Sequence, residues 1–229
     1  KNLNSFRMNS FINVLLLVVT FPTMLLSVFV GFDLPIDFLN TTGAHLLYRF
    51  EVFLGLGLIY AIISLRRSVR RWMGVFMTSK TAKFAWNGTI SHERKQRVIL
   101  YTSIEAIVMG FLALSYHYVT EQAIFISAVL VFFAIESMVF LLVNVKNNFR
   151  VGITSKAVLV SDREIILIYL AGLRKVSVSQ QTVYFDYIED LQLSFPIDCV
   201  EVAERSAFFT SLEAQLDPNR VLFQNTSQK

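Results

Sequence analysis

Three acidic side chains interrupt or border long uncharged stretches of this chain: Glu51, Glu105 and Glu136. A carboxylate at the centre of a bilayer costs about 2.5–3.5 kcal/mol on insertion scales, so each needs a compensating role. Glu105 follows the start of its apolar stretch at Val98 by seven residues, and Glu136 precedes the end of its stretch at Val145 by nine. At the rise of a regular helix these offsets place the two carboxyls about 11 and 14 Å above the same boundary. The local sequences echo each other, Ile104-Glu105-Ala106 and Ile135-Glu136-Ser137. Such a pair suits a proton or cation site, or an acidic contact for a basic residue of a partner. Two close carboxylates raise each other's pKa, so one can stay neutral. The plainer alternative is that each acid is protonated or bonded to a hydroxyl of a neighbouring helix, with Tyr101, Ser103, Ser127 and Ser137 as candidates.

The elements that would position these acids are organised around a basic segment, Leu65 to Arg97. It holds Arg66, Arg67, Arg70, Arg71, Lys80, Lys83, Arg94, Lys95 and Arg97, with Glu93 as its only acid. Short loops rich in Lys and Arg stay on the cytoplasmic side of a membrane. Four apolar spans then fit one orientation. Met8 to Phe32 carries no charge and contains Pro22; His45–Leu65 contains Gly55 and Gly57, which permit close helix contact. Val98–Tyr118 and Gln122–Val145 are joined by a very short turn and pack antiparallel. The loop from Asp33 to Ala44 has no Lys or Arg and lies outside; Lys146 and Arg150 follow the last span inside. The expected topology is four transmembrane helices with both ends inside. Glu51 falls in the outer half, near Arg49, which snorkels to the outer headgroups.

Past Leu65 the helical period continues. Leu65, Val69, Trp72, Met73 and Phe76 fall on one face, and Arg66, Arg67, Arg70 and Arg71 mostly on another. The segment reads either as a helix at an anionic membrane surface, its arginines on lipid headgroups, or as a topology-setting basic loop. Asn87-Gly88 reads as a turn.

Composition agrees with a membrane protein. Of 229 residues 54% are hydrophobic and only 17% charged, against roughly 25% in soluble domains. Residues 1–150 carry 14 Lys and Arg against 7 Asp and Glu, whereas residues 151–229 carry 7 against 10. The basic excess therefore sits around the spans and gives no pointer to nucleic acid. Cys199 is alone, which excludes an intramolecular disulfide and a thiolate cluster, and His45, His92 and His117 have no metal-ligand spacing. No phosphate-binding glycine loop, zinc-protease helix or nucleophile elbow is present. Neither a catalytic residue nor a cofactor or metal site is expected.

Residues 151–229 change character. The β-branched runs Val151–Val160, Glu164–Leu170, Leu173–Val178, Thr182–Phe185 and Tyr187–Phe195 predict an antiparallel meander, with Val200–Ala203 as one further short strand. Ser206–Leu216 has helical spacing, with Phe208, Phe209, Leu212 and Leu216 in a stripe, Ser206 as N-cap and Asp217-Pro218 as the stop. Tyr184, Asp186, Tyr187, Glu189 and Asp190 form an acidic, aromatic edge. The stretch Phe149-Arg-Val-Gly-Ile-Thr-Ser-Lys-Ala-Val-Leu-Val, with Leu173-Arg-Lys-Val and Phe185-Asp-Tyr-Ile-Glu-Asp-Leu, resembles bacterial pleckstrin-homology-like domains attached to membrane helices. Over residues 149–216 the resemblance implies a bent sheet plugged by a C-terminal helix, a binding or scaffolding module with no catalytic residues.

The expected organisation is a four-helix membrane domain over residues 1–150, with the basic cytoplasmic loop 66–97, and a small cytoplasmic α+β domain over 151–229. The expected role is a non-catalytic accessory or scaffold subunit of a larger assembly in a bacterial inner membrane. Its partners would be other membrane subunits and anionic headgroups. The rival reading is a small transporter or proton-conducting subunit using Glu105 and Glu136, and a weaker one is a lipid-modifying membrane enzyme.

Overall fold

The computed structural model describes residues 4–80, 83–146, 149–179, 181–188 and 191–225; the side chains of residues 4–17, Phe38 and Asn225 are outside that description. The chain divides into two compact units. One, the helical unit, comprises Asn9–Ser68 and Tyr101–Phe140; the other, the sheet unit, comprises Lys1–Met8, Val69–Leu100 and Leu141–Lys229.

Long apolar runs make the helices. Helix α1 spans Asn4–Gly31 and α2 spans Arg49–Ser79. Helix α3 spans His92–Val119 and α4 spans Ile124–Asn144. Three of them, α2, α3 and α4 with the turn at Glu121 that precedes it, are long and apolar enough to cross a membrane, which marks a membrane protein. The described apolar part of α1, Val18–Gly31, is shorter. Helix α2 begins at Arg49, not His45. Tyr48 takes a left-handed φ of 58°, which breaks the helical path, and His45 closes a separate turn over Gly43–His45. The connection between α1 and α2 also holds a small hairpin, strands β1 (Pro35–Ile36) and β2 (Thr41–Thr42). Asp33 Oδ1 accepts the Ala44 N–H at 2.8 Å, and hydrogen bonds from the Thr42 hydroxyl and Ala44 hold its carboxyl below the usual range.

The core of the helical unit gathers Val30, Phe53, Tyr60, Ala113, Tyr116, Ala123, Ile126 and Leu130 from all four helices and the α3–α4 turn. Thr20 ties three of them: its hydroxyl accepts from Tyr60 Oη at 3.0 Å and its carbonyl from Tyr116 Oη at 3.4 Å. Tyr116 is therefore an inward residue, whereas Tyr118 is exposed. The two glycines of α2 differ. A Cβ on Gly57 would strike the Phe125 ring of α4, while one on Gly55 would meet nothing within 4 Å.

The sheet unit contains two four-stranded sheets among the described residues. The first runs β3 (Trp86–Thr89), β4 (Arg150–Ile153), β5 (Ala157–Ser161) and β6 (Ile165–Tyr169), each pair antiparallel. Asn87-Gly88 is thus strand, not turn: Asn87 pairs with Gly152 and Gly88 with Val151. Gly152 is needed there because the Phe84 ring fills the space a Cβ would take. The second sheet comprises β7 (Leu173–Ser179), β8 (Thr182–Tyr187), β9 (Gln192–Pro196) and β10 (Leu222–Asn225), in the order β10-β7-β8-β9. Strand β10 pairs with β7 in parallel. Val200 makes only an isolated bridge, to Ile90, and Val202–Glu204 form a 3-10 turn in place of the expected strand.

Helix α5 spans Arg205–Ala214; its N-cap position is Glu204, not Ser206, and no side chain caps it. Phe208 and Leu212 are fully buried. The Phe208 ring meets Trp86 of the first sheet at 5.3 Å and Phe195 of the second at 5.7 Å, both edge-on. Edge-to-face contacts of this kind add about 0.5–1.5 kcal/mol beyond area burial, so one helical residue locks both sheets.

Candidate functional site

Consecutive residues of a helix point about 100° apart, so neighbours in sequence reach different elements. Helix α2 uses this at Arg67 and Ser68. Arg67 Nη1 lies 2.6 Å from Glu105 Oε1 of α3, and its Nη2 donates to Oε2 at 2.6 Å. Both side chains are only 13% exposed. Ser68 Oγ donates to Glu136 Oε1 of α4 at 2.8 Å. The two acids expected at similar depth are thus engaged from adjacent positions of a third helix. The hydroxyl that serves Glu136 is Ser68, which sequence reasoning did not single out.

This polar layer ties α2 to α3 by a bidentate, charge-assisted fork and to α4 by a hydroxyl–carboxylate bond, the stronger classes of hydrogen bond. Such an arrangement orients helices and fixes their register. Glu51 is not part of it. It is exposed in the first turn of α2, sixteen residues before Arg67, about 24 Å along the helix axis.

The four arginines expected at lipid headgroups separate in the same way. Arg66 is exposed. Arg67 is turned to Glu105. Arg70 Nε lies 3.4 Å from Glu164 Oε2, and its Nη2 donates to the Ile165 carbonyl at 3.4 Å. Arg71 is 3% exposed. The opposite stripe is the exposed one: Leu65, Val69, Trp72, Met73 and Phe76 all lie on the surface. The helical period sorted these residues into two faces correctly. The arginine face, apart from Arg66, is turned inward and the apolar face outward, as on a lipid-facing helix.

A second charged cluster lies in the sheet unit, at the first turns of α3. Arg94 Nη2 and Nε donate to Asp162 Oδ2 at 2.7 and 3.1 Å. Arg97 Nη1 donates to Asp198 Oδ2 at 2.9 Å. Ser91 accepts the Arg94 N–H at 3.2 Å as a helix cap and donates to the Asp198 carbonyl. Asp162 closes the β5–β6 turn and is 5% exposed. None of these acids was expected as a partner; the cue was the arginine spacing of three on one helix face. Cys199 lies beside them, its thiol pushed up to about 12 chiefly by burial. An unreactive, buried thiol follows.

The acidic, aromatic edge is largely turned to internal bonds. Asp186 accepts from Gln192 Nε2 at 2.6 Å, and Tyr187 Oη donates to the Tyr169 carbonyl at 2.6 Å, joining the two sheets. Glu189 and Asp190 lie outside the described residues. Among the described residues, no three His, Cys, Asp or Glu side chains gather in a metal-holding group. No protein-family model, curated protein or solved structure matches the chain.

Proposed function

We propose that this chain is a non-catalytic accessory or scaffold subunit of a larger membrane assembly. In this reading α1 is a fourth span, the basic segment faces the cytoplasm, and the sheet unit is a cytoplasmic, pleckstrin-homology-like module in a bacterial inner membrane. The observation that carries the role is the polar layer. Glu105 is held at both oxygens by Arg67, and Glu136 accepts from Ser68, so the intramembrane acids act as cross-links between helices. A subunit that must hold a fixed face toward neighbours gains from such cross-links, because they specify helix register. An ion pathway through Glu105 would first have to displace a bidentate guanidinium. For the sheet unit, the arrangement of α5 between two sheets is what a plugged, bent sheet requires.

The test is the composition of the native particle. Extraction from native membranes in mild detergent, followed by measurement of mass and polypeptide content, should return a defined complex with other chains. A particle made of this chain alone, as monomer or homo-oligomer, would overturn the reading.

A further inference from the structure

A cleft of about 210 Å³ opens in the sheet unit where α4 ends and α3 begins. That volume is more than tenfold the roughly 10–15 Å³ that a single water requires, room for a small polar headgroup. Its apolar lining includes Ile90, 5% exposed, and Phe149, 2% exposed. Lys95, Lys146 and His92 supply positive or proton-donating groups, and Glu201 supplies one carboxylate. Lys95 Nζ donates to the Lys146 carbonyl at 3.0 Å, which fixes the ammonium and leaves two of its three protons for another acceptor. Glu201 Oε2 accepts the His92 N–H at 3.3 Å, which holds the carboxylate at the first residue of α3.

We propose that this cleft binds the headgroup of a zwitterionic phospholipid, with the phosphodiester on Lys95 and Lys146 and the ammonium on Glu201. Two features select this ligand over a free anion. Glu201 repels a simple anion but attracts an ammonium a few ångströms from a phosphate. The cleft also sits at the ends of two apolar helices, α3 and α4, where the headgroup layer of a bilayer meets a spanning segment. An ethanolamine headgroup fits better than a choline, because it keeps N–H donors for the Glu201 oxygens. The inference rests on these helices being spans and not on the chain belonging to a larger assembly.

The experiment uses the full chain, purified in detergent and stripped of lipid. Binding is read by thermal melting and by native mass spectrometry with short-chain phosphatidylethanolamine, phosphatidylglycerol, phosphatidylcholine and inorganic phosphate. The expected order is phosphatidylethanolamine tightest, at least threefold over phosphatidylglycerol, with phosphate weakest. Lys146→Gln, at an exposed side chain, should weaken phosphatidylethanolamine binding at least threefold, and Lys95→Gln together with Lys146→Gln at least tenfold. Glu201→Gln should remove the preference for phosphatidylethanolamine over phosphatidylglycerol while leaving phosphatidylglycerol binding in place. Arg66→Gln, outside the cleft, should change neither. Equal binding of phosphatidylglycerol and phosphatidylethanolamine by the unaltered chain overturns the proposal. So does full competition by inorganic phosphate, or unchanged binding in Lys146→Gln. A stripped chain that binds none of the lipids overturns it as well, and leaves the assembly reading untouched.

Discussion

Arg67 and Glu105 face each other through two parallel contacts of 2.6 Å, each side chain 13% exposed. Removing one member of a buried pair leaves the other charge uncompensated, at about 3–5 kcal/mol. Arg67→Ala should therefore lower stability by about that amount in a detergent melt. Glu105→Gln should be milder, since the amide oxygen still accepts one bond. The double variant Arg67→Leu with Glu105→Leu should recover most of the loss, because an apolar pair of similar volume has no charge to solvate. Equal destabilisation in all three would show that the pair contributes through packing alone.

Ser68 and Glu136 form the second arm of the layer, at 2.8 Å. A bond from a neutral donor to a charged acceptor contributes about 1.5–3 kcal/mol. Ser68→Ala should cost less than Arg67→Ala, near the lower end of that range, because it removes one neutral donor whereas Arg67→Ala strips the Glu105 carboxylate of its counter-charge. If the polar layer holds the face presented to partners, Glu136→Gln together with Glu105→Gln should shift the native particle to a lower mass. A transporter would instead keep its complex and lose ion flux in reconstituted vesicles.

Much of this architecture can be read from patterning, and the failures have local causes. Uncharged runs mark the helices because length and apolarity together suffice for a span. β-branched runs mark β6, β7 and β8, whereas the single run Val151–Val160 holds two strands, β4 and β5, split at Thr154–Lys156. Strand β3 hides because Trp86-Asn87-Gly88-Thr89 carries a turn dipeptide, and its partner β4 lies some sixty residues further on. Strand β10 is four residues long and pairs in parallel with a strand 47 residues earlier, a relation no local pattern carries. The arginines of α2 were separable into a face, but periodicity does not say whether that face meets lipid or protein. Glu105 and Glu136 were the available cue, since acids within a span need a donor and α2 brings Arg67 and Ser68 to them.

The two glycines of α2 give a matched pair of substitutions on one helix. Gly55→Ala meets nothing within 4 Å, so it should stabilise by about 0.5–1 kcal/mol through helix propensity. Gly57→Ala drives a methyl into the Phe125 ring and should cost about 1–3 kcal/mol as overpacking. Thermal melting of the two variants side by side reads the difference directly. Equal effects at both positions would mean that α4 does not approach α2 at Gly57.

Phe208 is fully buried and edge-on to both Trp86 and Phe195. Phe208→Ala should cost about 3–5 kcal/mol, within the range for truncating a buried aromatic. Phe209, half-buried on the same helix, should cost less when truncated. Trp86 fluorescence provides the readout, since its ring leaves a defined contact when α5 detaches. The spectrum should shift to longer wavelength in Phe208→Ala and stay near that of the unaltered chain in Phe209→Ala.

Cys199 connects burial to a pH dependence that can be isolated. Its thiol is pushed from 9.0 up to about 12, first by burial, with Asp162 and Asp198 raising it further against Arg94. The folded chain thus holds the thiol proton more tightly than the unfolded one. The associated stability is fully present below pH 9 and is lost as pH rises toward 12, because the unfolded thiol ionises first. Tyr187 titrates in part of the same window, raised from 10.0 to about 12 by burial. Cys199→Ser removes the thiol contribution and leaves that of Tyr187. The fall in melting temperature between pH 8 and pH 10.5 should therefore be smaller in Cys199→Ser than in the unaltered chain. At pH 8 a maleimide should modify Cys199 slowly in the folded protein and rapidly after denaturation. Rapid labelling of the folded chain would mean that Cys199 is open to solvent and does not contribute to the alkaline dependence.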